Sequence, residues 1–174
     1  MSLQASLPDN KNFLSPLGFK FSVQKLPHVN YFCTSASIPD MTLGQVDTIT
    51  NTFIKLPTPG DKLTFGALNI RFRVDEDLKN FREIYDWMIG LGYPDNFDQR
   101  AAISRNANSI GEVFSDGSLI ITTASYKPNI EVKFIDLYPV GLGTVDFDLS
   151  QQEVEYVNAD VQFIFRKYEL TTIS

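Results

Sequence analysis

The sequence is short of the residues on which most metal centres and many enzymes depend. One cysteine and one histidine occur in 174 residues. Cys33 alone cannot form an intrachain disulfide, and with His28 it supplies at most two of the three or four ligands of a zinc site. Long apolar runs are missing, so no membrane span is expected, and the first twelve residues lack the basic and apolar regions of a secretory signal. Positive charge is scarce as well: 15 Lys+Arg against 21 Asp+Glu give 15 − 21 = −6 at pH 7. Proteins that grip phosphate backbones do so with a surplus of Lys and Arg, so specific nucleic-acid binding is not expected. Nine prolines and ten glycines are close to average usage and exclude collagen-like and linker-like classes.

What remains is an ordinary globular composition, 43% hydrophobic with 14 Phe, in a chain long enough to bury roughly 70% of its unfolded surface. A single domain over 1–174 is expected. Residues 1–16 are polar, carry two prolines and show no period, which reads as an arm that orders only against something else. Phe19, Phe21 and Val23 alternate with polar residues and predict a strand, and 29–36 reads as a second one. Thr42, Thr48, Thr50 and Thr52 share one face of an extended segment that is β-prone without being apolar, so 44–56 is expected to be an extended β arm. The run 56–61, with two prolines and Gly60, reads as a turn.

Leu68, Ile70, Phe72 and Val74 alternate with Asn69, Arg71 and Arg73, predicting a half-buried strand with both arginines outside. A helix is expected over 75–91, with acids at its start and Leu78, Phe81, Tyr85, Met88 and Leu91 as its apolar stripe. Residues 93–118 are polar and aperiodic and read as a long surface loop. Strands resume at 119–123 and 130–134, a short one is expected at 145–149, and the last runs through Val157, Ala159, Val161, Phe163 and Phe165. About eight strands and one helix predict a mainly β protein, an antiparallel sandwich or barrel with one flanking helix.

Candidate chemistry is sparse. His28 lies in a turn with no nucleophile elbow nearby, and Cys33 beside Phe32 reads as a packed thiol. Gly141 and Gly143 lack the third glycine and the following helix of a phosphate cradle. Asp146 with Asp148, and Glu153 with Glu155, each place two acids on one face of an extended segment, with a hairpin turn between the pairs. Solvated surface acids, a calcium site, a glycosidase-type pair and an acidic lining facing a polyanion all fit that pattern. The EF-hand spacing is absent, so no metal or other cofactor is expected.

The stretch 132–143, with its Tyr138-Pro139 pair and glycine turn, the acidic 145–148 and the long alternating strand to Tyr168 together resemble the C-terminal half of contractile-phage tail tube proteins. The short arm, the strand 19–23, Ser37-Ile38-Pro39 and the Pro57-to-Asp61 run before the strand and helix extend that resemblance over most of the chain. It implies a barrel or sandwich closed into hexameric rings by strand pairing between subunits, stacked as a conduit inside a contractile sheath. The same fold serves tube-to-baseplate junctions and the type VI secretion tube. Implied partners are further copies of the chain, the sheath, baseplate and tape-measure protein, with DNA passing through unbound and no membrane. Implied location is the virion tail, assembled in the host cytoplasm, and no catalysis is implied. On this view Thr48, Thr50, Thr52, Phe53 and Ile54 are the candidate subunit interface, and Asp146, Asp148, Glu153 and Glu155 face the lumen or the next ring. The alternative is a β-sandwich adaptor that recognises a partner through 93–118.

Overall fold

The structure, a computed structural model, describes residues 13–49, 55–92, 113–147 and 156–173. It is mainly β and antiparallel. In chain order the elements are β1 (Phe19–Val23), α1 (Pro27–Phe32), β2 (Cys33–Ala36), β3 (Met41–Ile49), β4 (Lys55–Phe65), β5 (Leu68–Arg73), α2 (Lys79–Gly92), β6 (Ser115–Thr122), β7 (Pro128–Leu142), β8 (Asn158–Ile164) and β9 (Lys167–Thr172). Seven strands form one sheet in the order β1-β6-β7-β8-β5-β2, with β9 also on β7, while β3 and β4 pair separately.

The sheet folds over on β7. Its first part lies between β6 and β9, with Phe134 opposite both Gly117 and Tyr168; its last part crosses to β8, with Tyr138 opposite Ile164. Asp136 sits between these parts at φ 57°, beside a shift of register against β6. Such a bulge bends a strand and re-aims its side chains. The two halves therefore face each other over one core, in which Phe21, Leu119, Val132 and Phe134 from one half meet Ile70, Phe72, Val161 and Phe163 from the other. β5 alternates buried and exposed residues without exception, as does β8 up to Phe163, because only one face of each touches the core.

Several sequence expectations need correcting. Of the strand expected over 29–36 only 33–36 is strand; 27–32 form a second helix. Pro27 fits its first turn, where a missing N–H is harmless, and the Asn30 side chain clamps Val23, accepting its N–H at 2.8 Å and donating to its carbonyl at 3.0 Å. Residues 56–61 are strand, not turn: Pro57 and Pro59 stand opposite Asp47 and Gln45 within β4. In a two-stranded ribbon both strands are edges, where proline is tolerated. The segment 115–118 belongs to β6, and 143–147 forms no strand. Residues 113–114 are a bend that leads into β6, and 93–112 and 148–155 lie outside the described residues.

The main helix starts at Lys79, four residues later than expected. Asp75 and Asn80 first exchange backbone-to-side-chain hydrogen bonds, each side-chain oxygen accepting the other's N–H at 3.3 Å, and Leu78 turns the chain at φ 56°. Asn80 is fully buried and also donates to the Arg73 carbonyl at 2.7 Å, tying the helix to the end of β5. The helix consequently buries Asn80, Ile84, Trp87 and Gly90, while Leu78 and Tyr85 are exposed and Phe81, Met88 and Leu91 flank the contact. Trp87 lies 6.4 Å from the Phe163 ring and donates to the Val113 carbonyl.

Cys33 packs against the core, and that burial pushes its thiol pKa up to about 11 from 9.0, outweighing the opposing backbone contact with Ser35. Its alkylation at pH 7.5 should be about a hundredfold slower than that of an ordinary thiol and should reach the normal rate in urea. An unfolded thiol ionises near pH 9 and the folded one near 11, so this group's contribution to stability is complete below 9 and is lost as pH rises through 11. For the helix, Ile84→Ala should destabilise by about 2–5 kcal/mol and Tyr85→Ala by less than about 0.5 kcal/mol in urea titrations. Equal effects would contradict the burial of the Ile84 face.

Candidate assembly surface

The β3–β4 hairpin stands apart from the main sheet. Phe65, at its root, packs 5.7 Å from Phe165 and 5.2 Å from Tyr168, and the Gly66 N–H reaches the Asp40 carbonyl at 3.0 Å. Among the described residues of the hairpin, no other hydrophobic side chain is packed against the core. Beyond that root the register places Leu43 opposite Leu63 and Val46 opposite Thr58, with a break in register between Leu43 and Gln45. Gly60 fits that break because its Cα approaches the Gly44 carbonyl, where a Cβ would lie 2.7 Å from the oxygen. Met41, Leu43, Val46, Leu56 and Leu63 are each about half exposed, Val46 at 58%. A two-stranded ribbon with apolar side chains uncovered is marginal in water on its own.

Thr48 lies in β3 opposite Leu56, so the chain's own β4 supplies the backbone partner of the threonine-rich strand. Thr50, Thr52, Phe53 and Ile54 lie outside the described residues. Of the four acids expected to act together, Asp146 is exposed in the irregular stretch after β7, and Asp148, Glu153 and Glu155 lie outside the described residues.

A feature that the sequence reading missed lies where β5 ends, β8 begins and α2 starts. An open groove of about 640 Å³ is lined by Phe32, Val74, Leu78, Val145, Phe147 and Tyr156, with Arg73, Asp75 and Glu76 at its rim. The Arg73 guanidinium sits 4.9 Å from the centre of the Tyr156 ring. Phe147 is 79% exposed and Tyr156 69%, an unusual density of uncovered aromatic surface.

The outward faces of the sheet carry charge in matched pairs. Arg71 holds Asp160 with two bonds of 2.7 and 3.0 Å, and this hydrogen bonding lowers the Asp160 pKa. Lys133 approaches Asp116 at 3.6 Å, Lys167 bonds Glu169 at 2.6 Å, and Arg166 reaches Asp136 at 3.0 Å. His28 pairs with Glu83, joining α1 to α2 at the surface, with no nucleophile in that contact. Among the described residues no group of three His, Cys, Asp or Glu is placed to hold a metal ion.

No protein-family model matches the sequence, and no curated protein does. Solved structures do. The anti-feeding prophage cap, which terminates the tube, superposes with a TM-score of 0.62 at 18% identity over 99% of this chain and 100% of its own. A chain of the PVC sheath–tube complex, from an extracellular contractile injection system in the extended state, gives 0.61 at 13% identity over 94% of both chains. A chain of the anti-feeding prophage baseplate gives 0.53 at 9% identity over 88% and 90%. The chain therefore has the tail-tube-like fold found in the tubes and tube caps of contractile injection systems.

Proposed function

We propose that the chain is a structural subunit of a contractile injection particle, a phage tail or a related machine, that assembles with copies of itself into hexameric rings forming or closing the tube. The observation that carries this reading is the match with tube and cap chains over 99% and 94% of this chain. The exposed hairpin supports it, because a ribbon tied to its own core through Phe65 needs cover from elsewhere. In a ring the neighbour supplies that cover, with Thr48, Thr50, Thr52, Phe53 and Ile54 on the arm that reaches across. The sheath, baseplate and a tape-measure protein are the partners of such a ring, in a particle assembled in the host cytoplasm, and no catalytic step belongs to it.

DNA, or another cargo, passes through the ring without being held. The paired charges on the sheet faces support this: Arg71, Lys133 and Lys167 each already face a carboxylate, so these three cations offer a phosphate no uncompensated partner. The acids Asp146, Asp148, Glu153 and Glu155 add repulsion within about 8 Å at physiological salt if they reach the lumen, and otherwise serve ring-to-ring contact.

Replacing Leu43 and Leu63 by Glu tests the arm. Both are exposed in the subunit, so the thermal midpoint should move by no more than a few degrees, while rings seen by negative stain should disappear and sedimentation should report the monomer. Thr50→Pro, aimed at the arm's tip, should have the same effect on assembly. Intact rings from both variants would remove the arm from the interface.

A further inference from the structure

We infer that the groove is the socket of a head-to-tail contact between copies of this chain, and that the turn joining β6 to β7 in the next copy is the plug. The inference rests on the tube reading and deepens it by assigning the surface through which one ring meets the next.

The two features sit at opposite ends of β7. Its first residue, Pro128, follows the turn, and its last, Leu142, runs on through Gly143 to Val145 and Phe147 in the groove. Fifteen residues of strand, bent at Asp136, separate the two ends. The pairing of neighbouring strands keeps the two ends distinct. Phe19 lies opposite Ile121, and Thr122 donates to the Gly18 carbonyl at 2.9 Å, so the segment entering β1 shares the turn's end. Arg73 lies opposite Asn158, so the end of β5 shares the groove's end.

Each end is incomplete in a complementary way. At the plug, Tyr126 is 74% exposed, and Phe13 and Leu17, in the segment that leads into β1, are exposed still further. Lys127 adjoins Tyr126 in the turn, and the next charged residues, Lys20 and Glu131, lie further along the sheet, both opposite Ile120. At the socket, Leu78, Phe147 and Tyr156 are the uncovered apolar groups, and among the lining residues Asp75 and Glu76 outnumber Arg73. An aromatic flanked by one cation thus faces an apolar groove with an acidic rim. Because plug and socket are different surfaces, the contact is heterologous and repeats without limit until something else covers an end.

The turn is also held in an unfavourable backbone shape. Tyr126 has φ 59°, a region that a bulky side chain enters only when its surroundings force it. Hydrogen bonds from Tyr126 N to the Thr123 carbonyl (2.9 Å) and from Thr123 N to the Lys127 carbonyl (2.8 Å) hold it there. Glycine would fit this position without strain, so a tyrosine presented outward has been kept at the expense of local stability.

The test compares the full-length chain with Tyr126→Gly, Lys127→Glu, Glu76→Lys and the double exchange Lys127→Glu/Glu76→Lys, by sedimentation velocity, negative stain and thermal melting. Stacks of rings are expected for the unaltered chain. Tyr126→Gly should melt at the same or a higher temperature yet need at least tenfold more protein to stack; each charge reversal should weaken stacking, and the double exchange should restore it. Stacks that persist unchanged in Tyr126→Gly and Lys127→Glu would overturn the contact and leave the tube reading standing. Single rings from the unaltered chain, with no stacks at any concentration, would also overturn it and would favour a cap. A chain that stays monomeric throughout would sink the tube reading and this inference together.

Discussion

The fold depends on the hydrogen bonding of one strand. Among the described residues β7 is the only element that pairs with three others, and it does so by serving β6 and β9 along its first part and β8 along its last. The bulge at Asp136 makes this division possible. Without it a strand of this length would carry one flat sheet with an uncovered apolar face; with it, the two parts of the sheet close on each other and Phe134 meets Phe165 at 5.2 Å. Arg166 reinforces the bend twice, donating its backbone N–H to the Ile135 carbonyl at 3.0 Å and pairing its side chain with Asp136. The position of every exposed feature follows from this fold-over, including the hairpin that leaves beside Phe165 and the groove at the far end of β8.

Where one side of an element touches the core, the sequence was a sufficient guide. The alternation in 19–23, 68–73 and 158–164 is a direct image of burial on one face. The failures have equally local causes. Val29 is buried in α1, not in a strand, because Pro27 and the Asn30 clamp set a helical turn inside a run whose aromatic and β-branched residues favour β. The prolines of β4 mark a turn only if a central strand is assumed. On the main helix the expected stripe lies about one residue off the true one, since the Asp75–Asn80 bracket delays the start and turns Ile84 and Trp87 inward. No pattern within 75–91 reveals that bracket, because its third partner is the Arg73 carbonyl on the preceding strand.

The assembly surface was legible only in part. A threonine-rich strand without an apolar face signals a segment outside the core, and β3 is one; that its backbone partner is β4 of the same chain depends on reading through the prolines. The groove was invisible for a different reason. Its walls come from 73–78, 145–147 and 156–157, stretches that are unremarkable one by one and meet only because β5 and β8 pair.

Among the described residues the hairpin meets the body's aromatics through Phe65, and the hydrogen bond from Gly66 N–H to the Asp40 carbonyl closes its root. Leu43, Val46, Leu56 and Leu63 beyond that root do not pack on the core. The arm is thus free to diverge at a different pace from the barrel, and two lineages with the same barrel can become mutually exclusive in co-assembly by drift in the arm alone. The same separation makes the arm a natural place to exchange segments between related subunits, with the barrel serving as an unchanged chassis.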